Sequence, residues 1–297
     1  MRGYAGKFLD IDLSTEKIQE IKFDEDILHS YIGGRGLAAK ILWDKLGEKW
    51  ETLDPFAPEN ILTVLTGPLT GFYPGGRICV SGKSPQSNGM VGSTAAGEFG
   101  IDLKCTGYDG LIITGKAPKP SYVSIIENQV SIRDAGHVWG KDGKHTVKIL
   151  TEEGRRELSA SFPEYGELKE PSMLYIGPAG ENKTRIAAVM SKWAHAAGYG
   201  GYGGVMGSKN LKAIVAKGLG PLPEVEDMEV VSALIKKVDK DCYKSGSFRF
   251  WGTGAAGYNT GAKTSSEPVR NWQEEWHDHK SFAVDKFEQR LWVKRYW

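Results

Sequence analysis
Apolar residues in this chain come in short alternating or continuous runs, and glycine or proline ends most of them. That pattern predicts strands more often than helices. "GKFLDIDLS" and "KIQEIKF" read as two strands joined by a short turn at Thr15-Glu16. "DEDILHSYIGGRGLAAKILWDKL" reads as helical segments broken at Gly33-Gly34, with Leu37, Ile41 and Leu46 near one face of the second. "NILTVLTGPL" predicts a buried strand ending at Gly67-Pro68, and "GGRICVSGK" another, followed by an irregular stretch from Ser84 to Ala95. "GEFGIDLKCTGYD" predicts a short helix with Gly107 near its stop. "GLIITGK", "YVSIIEN" and "QVSIRDA" are strands, the last two pairing across Glu127-Asn128. "GKHTVKILTEEGRR" reads as a helix stopped by Gly154. "SMLYIGPAGEN" and "RIAAVMS" are strands on either side of a Gly-Pro turn, and "LKAIVAKG" is a further strand.

Many strands and few helices before Gly218 predict an α+β fold dominated by sheet. The stretch "GLGPLPEVED" reads as a linker, and "MEVVSALIKKVDKDCY" after it has helical spacing at Val230, Leu234 and Val238. The expected division is residues 1–218 as one sheet-rich domain and residues 219–297 as the start of a helical second domain. From Lys244 onward the periodicity is weak, although Trp251, Trp272, Trp276, Trp292 and Trp297 all lie there. The end, "RLWVKRYW", carries no polar tail and reads as a truncated domain rather than a natural C-terminus.

The glycine-rich stretch "HAAGYGGYGGVMGSKN" needs a physical reason, because glycine loses more backbone freedom on folding than other residues. Gly198, Gly200 and Gly203 satisfy G-x-G-x-x-G, but no strand leads directly into them and no acidic residue follows at the expected distance, so a dinucleotide fingerprint does not fit. In "GGVMGSKN" Ser208 separates Gly207 from Lys209, which breaks the phosphate-loop spacing. A glycine-rich corner between two sheets is one reading. Three more small-residue loops, "LTGPLTGFYPGGR", "GMVGSTAAGEFG" and "YIGPAGENKTR", favour another: a large flat ligand with many polar edges, held by backbone.

Charge narrows the classes further. Lys and Arg number 38 against 37 Asp and Glu, which argues against a nucleic-acid surface or a polybasic membrane patch. No apolar run is long enough to span a membrane, and "MRGYAGKFLDIDLSTEK" lacks the apolar core of a signal peptide. Cys79, Cys105 and Cys242 are scattered with no C-x-x-C pair, which fits a reducing cytoplasm and leaves no complete iron–sulfur or zinc motif. Cys79 and Cys105 read as small buried hydrophobes. His277 and His279 read as surface residues, and Trp272 and Trp276 as packing.

"GKFLDIDLST", "GGRGLAAKILWD", "APEN", "TGPLTG", "GGR", "KSP", "LKCTGYDGLIITGKA", "IGPAGEN" and "GYGGVMGSKNLKAI" follow one another in an order that resembles the tungsten-dependent aldehyde:ferredoxin oxidoreductases. The resemblance is dense over residues 1–218 and loose beyond. It implies a domain of two β-sheets forming a saddle for tungsten held by two pyranopterins, with Mg2+ bridging their phosphates. It implies oxidation of an aldehyde to a carboxylic acid, with electrons leaving through a 4Fe–4S cluster to ferredoxin or another redox subunit. It also implies a soluble cytoplasmic enzyme, a homodimer among its assemblies. Arg77 matches the arginine between pterin and cluster. Thr94 and Ala196 match the two residues whose carbonyls hold the magnesium. Ala95, Ala96 and Gly97 match the small stretch where the pterin passes close to the chain. Gly198, Gly200 and Gly201 match the cradle around it.

Two positions depart from the family pattern. His195 and Tyr199 stand where "HRAAGRGG" carries arginines, so two permanent positive charges near the phosphates are lost and another base must compensate or the cofactor must bind differently. His195 is either a ligand contact or a satisfied structural histidine. The family's cluster cysteines are expected beyond Trp297, together with its catalytic acid and base, so none of these is identified here. Two other readings stand beside the aldehyde oxidoreductase: the tungsten subunit of a benzoyl-CoA reductase, and a non-catalytic module that binds a pterin cofactor.

Overall fold
The computed structural model describes residues 2–72, 76–166, 170–193, 195–244 and 273. In chain order the elements are β1 (Phe8–Asp12), β2 (Lys17–Ile21), α1 (Glu25–Tyr31), α2 (Gly34–Leu46), α3 (Lys49–Thr52), β3 (Leu62–Leu65), β4 (Ile78–Ser81), β5 (Ser93–Ala95), α4 (Phe99–Cys105) and β6 (Gly110–Thr114). They continue with β7 (Ser121–Ile126), β8 (Gln129–Asp134), α5 (Gly143–Ser161), β9 (Ser172–Tyr175), α6 (Pro178–Glu181), β10 (Val189–Ser191), β11 (His195–Ala197), α7 (Tyr202–Ser208), β12 (Leu211–Lys217) and α8 (Met228–Lys244). Contacts divide the chain into a first unit ending at Glu226 and a second beginning at Asp227.

The first unit is α+β. Its strands form two six-stranded mixed sheets, ordered β2-β1-β6-β3-β4-β5 and β11-β10-β9-β12-β7-β8. Alternation within the strands explains how the sheets stack. Leu9, Ile11, Leu62, Val64, Leu111 and Ile113 of the first sheet meet Val123, Ile125, Leu174, Ile214 and Ala216 of the second in one buried cluster. The intervening side chains point the other way. Phe8, Leu65 and Ile112 pack under Leu28 of α1 and Leu37, Ile41 and Leu42 of α2. Tyr122, Met173, Ala213 and Val215 pack with Val147 and Leu150 of α5. Both sheets are thus covered on both faces, which is why β3 and β12 are buried along their whole length.

The break between α1 and α2 falls where expected, with Ile32 at φ 62° and Gly33 at φ 158°. Several expectations need correction. α5 runs through Gly154 to Ser161 instead of stopping there. Gly154 is small because Pro171 packs on it, with its Cγ 2.5 Å from where a Cβ would sit. The irregular stretch Ser84–Ala95 ends in strand β5, and the Gly-Pro turn after β9 is the short helix α6 with Pro178 in its first turn. The glycine-rich stretch contains strand β11 and helix α7, neither of which is legible in its composition.

In the second unit, α8 starts at an Asp227 cap whose Oδ1 accepts from the N–H groups of Glu229 and Val230 at 2.9 and 3.0 Å. Cys242 on α8 is exposed, Cys105 is half-buried and Cys79 is buried. The expectations for Trp272, Trp276, His277 and His279 lie outside the described residues.

Candidate functional site
β5 and β11 are the outermost strands of their sheets on one side, and they lie against each other without a ladder between them. An edge strand keeps outward N–H and C=O groups free of ladder bonds. Thr94 pairs with Cys79 on β4, and Ala196 pairs with Met190 on β10. Two residues 102 positions apart in sequence are thereby carried on adjoining edges, and both are exposed. Gly97, at φ 109°, has no room for a side chain: a Cβ would lie 2.8 Å from Ser191 Oγ and 3.5 Å from the His195 ring. This close approach brings the stretch Thr94–Gly97 together with His195.

An open cleft of about 510 Å3 adjoins these edges, lined by Arg35, Met90, Val91, Gly92, Ser93, Thr94, Gly198 and Tyr199. Thr94, Gly198 and Tyr199 share it; Ala95 is buried in β5 beside it. Arg77 is exposed at the start of β4, and its Nη1 lies 3.4 Å from Thr94 Oγ1, a weak hydrogen bond. His195 and Ala196 are exposed on β11.

The glycines separate into two groups. Gly201, at φ 72°, precedes α7, and a Cβ there would overlap the Arg185 carbonyl. Cβ atoms at Gly203 and Gly207 would overlap the carbonyls of Ala188 and Gly180, and one at Gly204 would sit 2.8 Å from Thr184 O. These residues are glycine because α7 presses directly on the backbone of the preceding segment. Gly200 donates its N–H to Gln86 Oε1 at 2.9 Å, while its carbonyl accepts from Ser84 Oγ at 2.8 Å. Its polar groups are therefore already engaged within the chain. Gly198 differs: nothing lies within 4 Å of a Cβ placed there.

Behind the cleft stands Tyr202, fully buried in α7. Its hydroxyl accepts from Val91 N–H at 3.0 Å and sits within donor reach of Val91 O at 2.6 Å and Gly82 O at 3.0 Å. Burial pushes its pKa up to about 12, so it stays a protonated strut for the cleft wall. Lys192, in the turn between β10 and β11, pairs with Glu170 at 2.7 Å and Glu98 at 3.4 Å, tying that turn to the start of α4. The Glu170 carboxylate raises the Lys192 pKa.

Arg35 and Tyr202 are the residues that sequence reading missed. Arg35 sits between glycines in "GGRG", the same setting as Arg77 in "GGR", and that was the available signal. Tyr202 gave no signal, because its function is defined by Val91, far away in sequence. Among the described residues no group of three or more His, Cys, Asp and Glu could hold a metal ion. A metal at this site would therefore rest on backbone carbonyl oxygens, on an organic cofactor or on other parts of the protein. The open cleft, the edge backbone and the nearby guanidinium groups fit a flat, anionic cofactor with polar rims.

The two stacked sheets thus bring backbone, small residues and arginine together beside one open cleft, along the adjoining edges of β5 and β11. The chain belongs to the aldehyde ferredoxin oxidoreductase family, matching the description "Aldehyde ferredoxin oxidoreductase, N-terminal domain" over residues 8–218. A relative from Pyrococcus furiosus, an "Aliphatic sulfonate oxidoreductase, WOR-like subunit", is 53% identical over 297 residues, all of this chain and 48% of that protein. A tungsten-containing aldehyde ferredoxin oxidoreductase from Pyrococcus horikoshii is 42% identical over 279 residues, 92% of this chain and 43% of that protein. Among solved structures, the active site complex BamBC of benzoyl coenzyme A reductase with 1,5-dienoyl-CoA superposes with a TM-score of 0.69 at 30% identity, over 91% of this chain and 36% of that one. The chain spans about half the length of the curated relatives it matches.

Proposed function
We propose that this chain forms one side of the cofactor site of a tungsten–pterin oxidoreductase that oxidises aldehydes to carboxylic acids. The observation that carries the reading is the meeting of β5 and β11 at an open cleft, in a chain whose relatives include tungsten-containing enzymes. When bound, the tungsten bis-pterin would supply two-electron redox chemistry, and a 4Fe–4S cluster held elsewhere would pass the electrons to ferredoxin or another redox subunit. The part played by this chain's own residues is positional. Thr94 and Ala196 would offer carbonyl oxygens to Mg2+, a hard cation that takes oxygen ligands. Gly97 and Gly198 would let the pterin lie against the main chain. Arg77 would offer its donor fork between pterin and cluster, the arrangement that suits a planar guanidinium. Tyr202 and Ser84 would keep the cleft wall in register. The working assembly is a soluble cytoplasmic enzyme, as a homodimer or with a redox subunit. Residues 219–297 would begin a second domain.

A second reading has an observation of its own: the relative named for aliphatic sulfonates is identical at 53% of positions across the whole chain. Anaerobically purified full-length protein, with tungsten and pterin measured per chain, should be assayed against aldehydes, aliphatic sulfonates and aryl-CoA thioesters with ferredoxin or a viologen dye. Tungsten-dependent turnover of aldehydes is expected. Turnover of sulfonates alone would move the substrate, and a protein that carries neither tungsten nor pterin would overturn the cofactor reading.

A further inference from the structure
Arg35 reaches the cleft from the first turn of α2. Its Nη2 donates to the Gly92 carbonyl at 3.0 Å. Its stem lies directly on Gly92: a Cβ there would be 2.7 Å from Arg35 Cγ and 2.8 Å from Arg35 Cβ. The glycine thus fixes the course of the arginine. Among the described residues no carboxylate pairs with Arg35, whereas Lys40, further along the same helix, pairs with Asp44 at 2.7 Å. None of the other residues lining the cleft is acidic or basic. Arg35 is therefore an unneutralised cation, held at its root, in a cleft otherwise lined by uncharged residues. A guanidinium carries five N–H donors, and its planar fork matches the oxygens of a phosphate. His195 and Tyr199 on the same edge bring no permanent charge.

We propose that Arg35 binds a phosphate of the pterin cofactor and supplies the charge that His195 and Tyr199 do not. This inference rests on the tungsten–pterin reading of the site. It is tested on full-length protein purified with its cofactor. Tungsten and oxidised-pterin fluorescence per chain are followed during timed dialysis for the wild type, Arg35→Gln, Arg35→Lys, Gly92→Ala and, as a control on the same helix, Lys40→Gln. Loss of one charge-assisted hydrogen bond predicts cofactor release about tenfold to hundredfold faster in Arg35→Gln. Arg35→Lys keeps the charge without the fork and should fall between. Gly92→Ala displaces the arginine without removing it and should behave as Arg35→Gln does. Lys40→Gln should match the wild type. If Arg35→Gln fails to fold, as judged by its melting curve, the Arg35→Lys and Gly92→Ala rates decide. A loaded wild type whose Arg35→Lys and Gly92→Ala variants release cofactor at the wild-type rate overturns the role of Arg35 and leaves the site standing. A wild type with no pterin overturns the site itself.

Discussion

Gly198 and Gly207 belong to one glycine-rich run and answer different constraints. At Gly207 a methyl group would overlap the Gly180 carbonyl, while at Gly198 it would meet nothing within 4 Å. Gly207→Ala should therefore lower the stability of the protein by about 1–3 kcal/mol or more, the usual cost of overpacking. Gly198→Ala should leave the melting temperature unchanged and lower only the pterin content, because its open side faces the cleft. Equal melting shifts in the two variants would refute this division. Tyr202→Phe removes the hydroxyl that serves Val91 and Gly82 and leaves their buried polar groups unpaired. It should cost about 1–3 kcal/mol in denaturant unfolding, and a variant as stable as the wild type would show the strut to be dispensable.

At the scale of elements, motifs distant in sequence converge on structural lysines. Lys209 follows α7 and is fully buried, donating Nζ to Pro58 O at 2.9 Å and Gly115 O at 3.1 Å. Lys212 on β12 bonds Glu181 of α6 at 2.5 Å. "APEN", "TGKA", "IGPAGEN" and "GSKN" are thus tied into the frame by buried lysine contacts. Burial pushes the Lys209 pKa down to about 7, against the pull of Glu59 and Asp12. Because the folded value lies below that of the unfolded chain, the unfolded state binds more protons from about pH 7 up to the ordinary lysine range. Stability should rise with pH across that window, and Lys209→Met should remove that part of the slope. Parallel stability–pH curves for the two proteins would contradict this. The long strands and helices were legible because their periodicity extends over enough residues to be read. β5 and β11 are three residues each, too short for any period, and their importance comes from which sheet edges adjoin. The order of the motifs pointed to loops that the fold brings beside one cleft. Which glycines serve packing and which face the cleft depends on carbonyls brought in from other segments.

At the scale of the whole molecule, the chain spans about half the length of the curated relatives it matches, and in the proposed reading it supplies one face of a larger site. Among the described residues no helix is long and apolar enough to cross a membrane. The central claim is that the adjoining edges of β5 and β11 carry a tungsten–pterin cofactor. A tungsten anomalous difference map from crystals of the full-length protein tests it most directly. One strong peak is expected over the face that carries Thr94, Ala196 and Gly198, with connected organic density running to Arg35. A tungsten peak away from that face, or a well-ordered face with no tungsten and no organic density on it, would contradict the account.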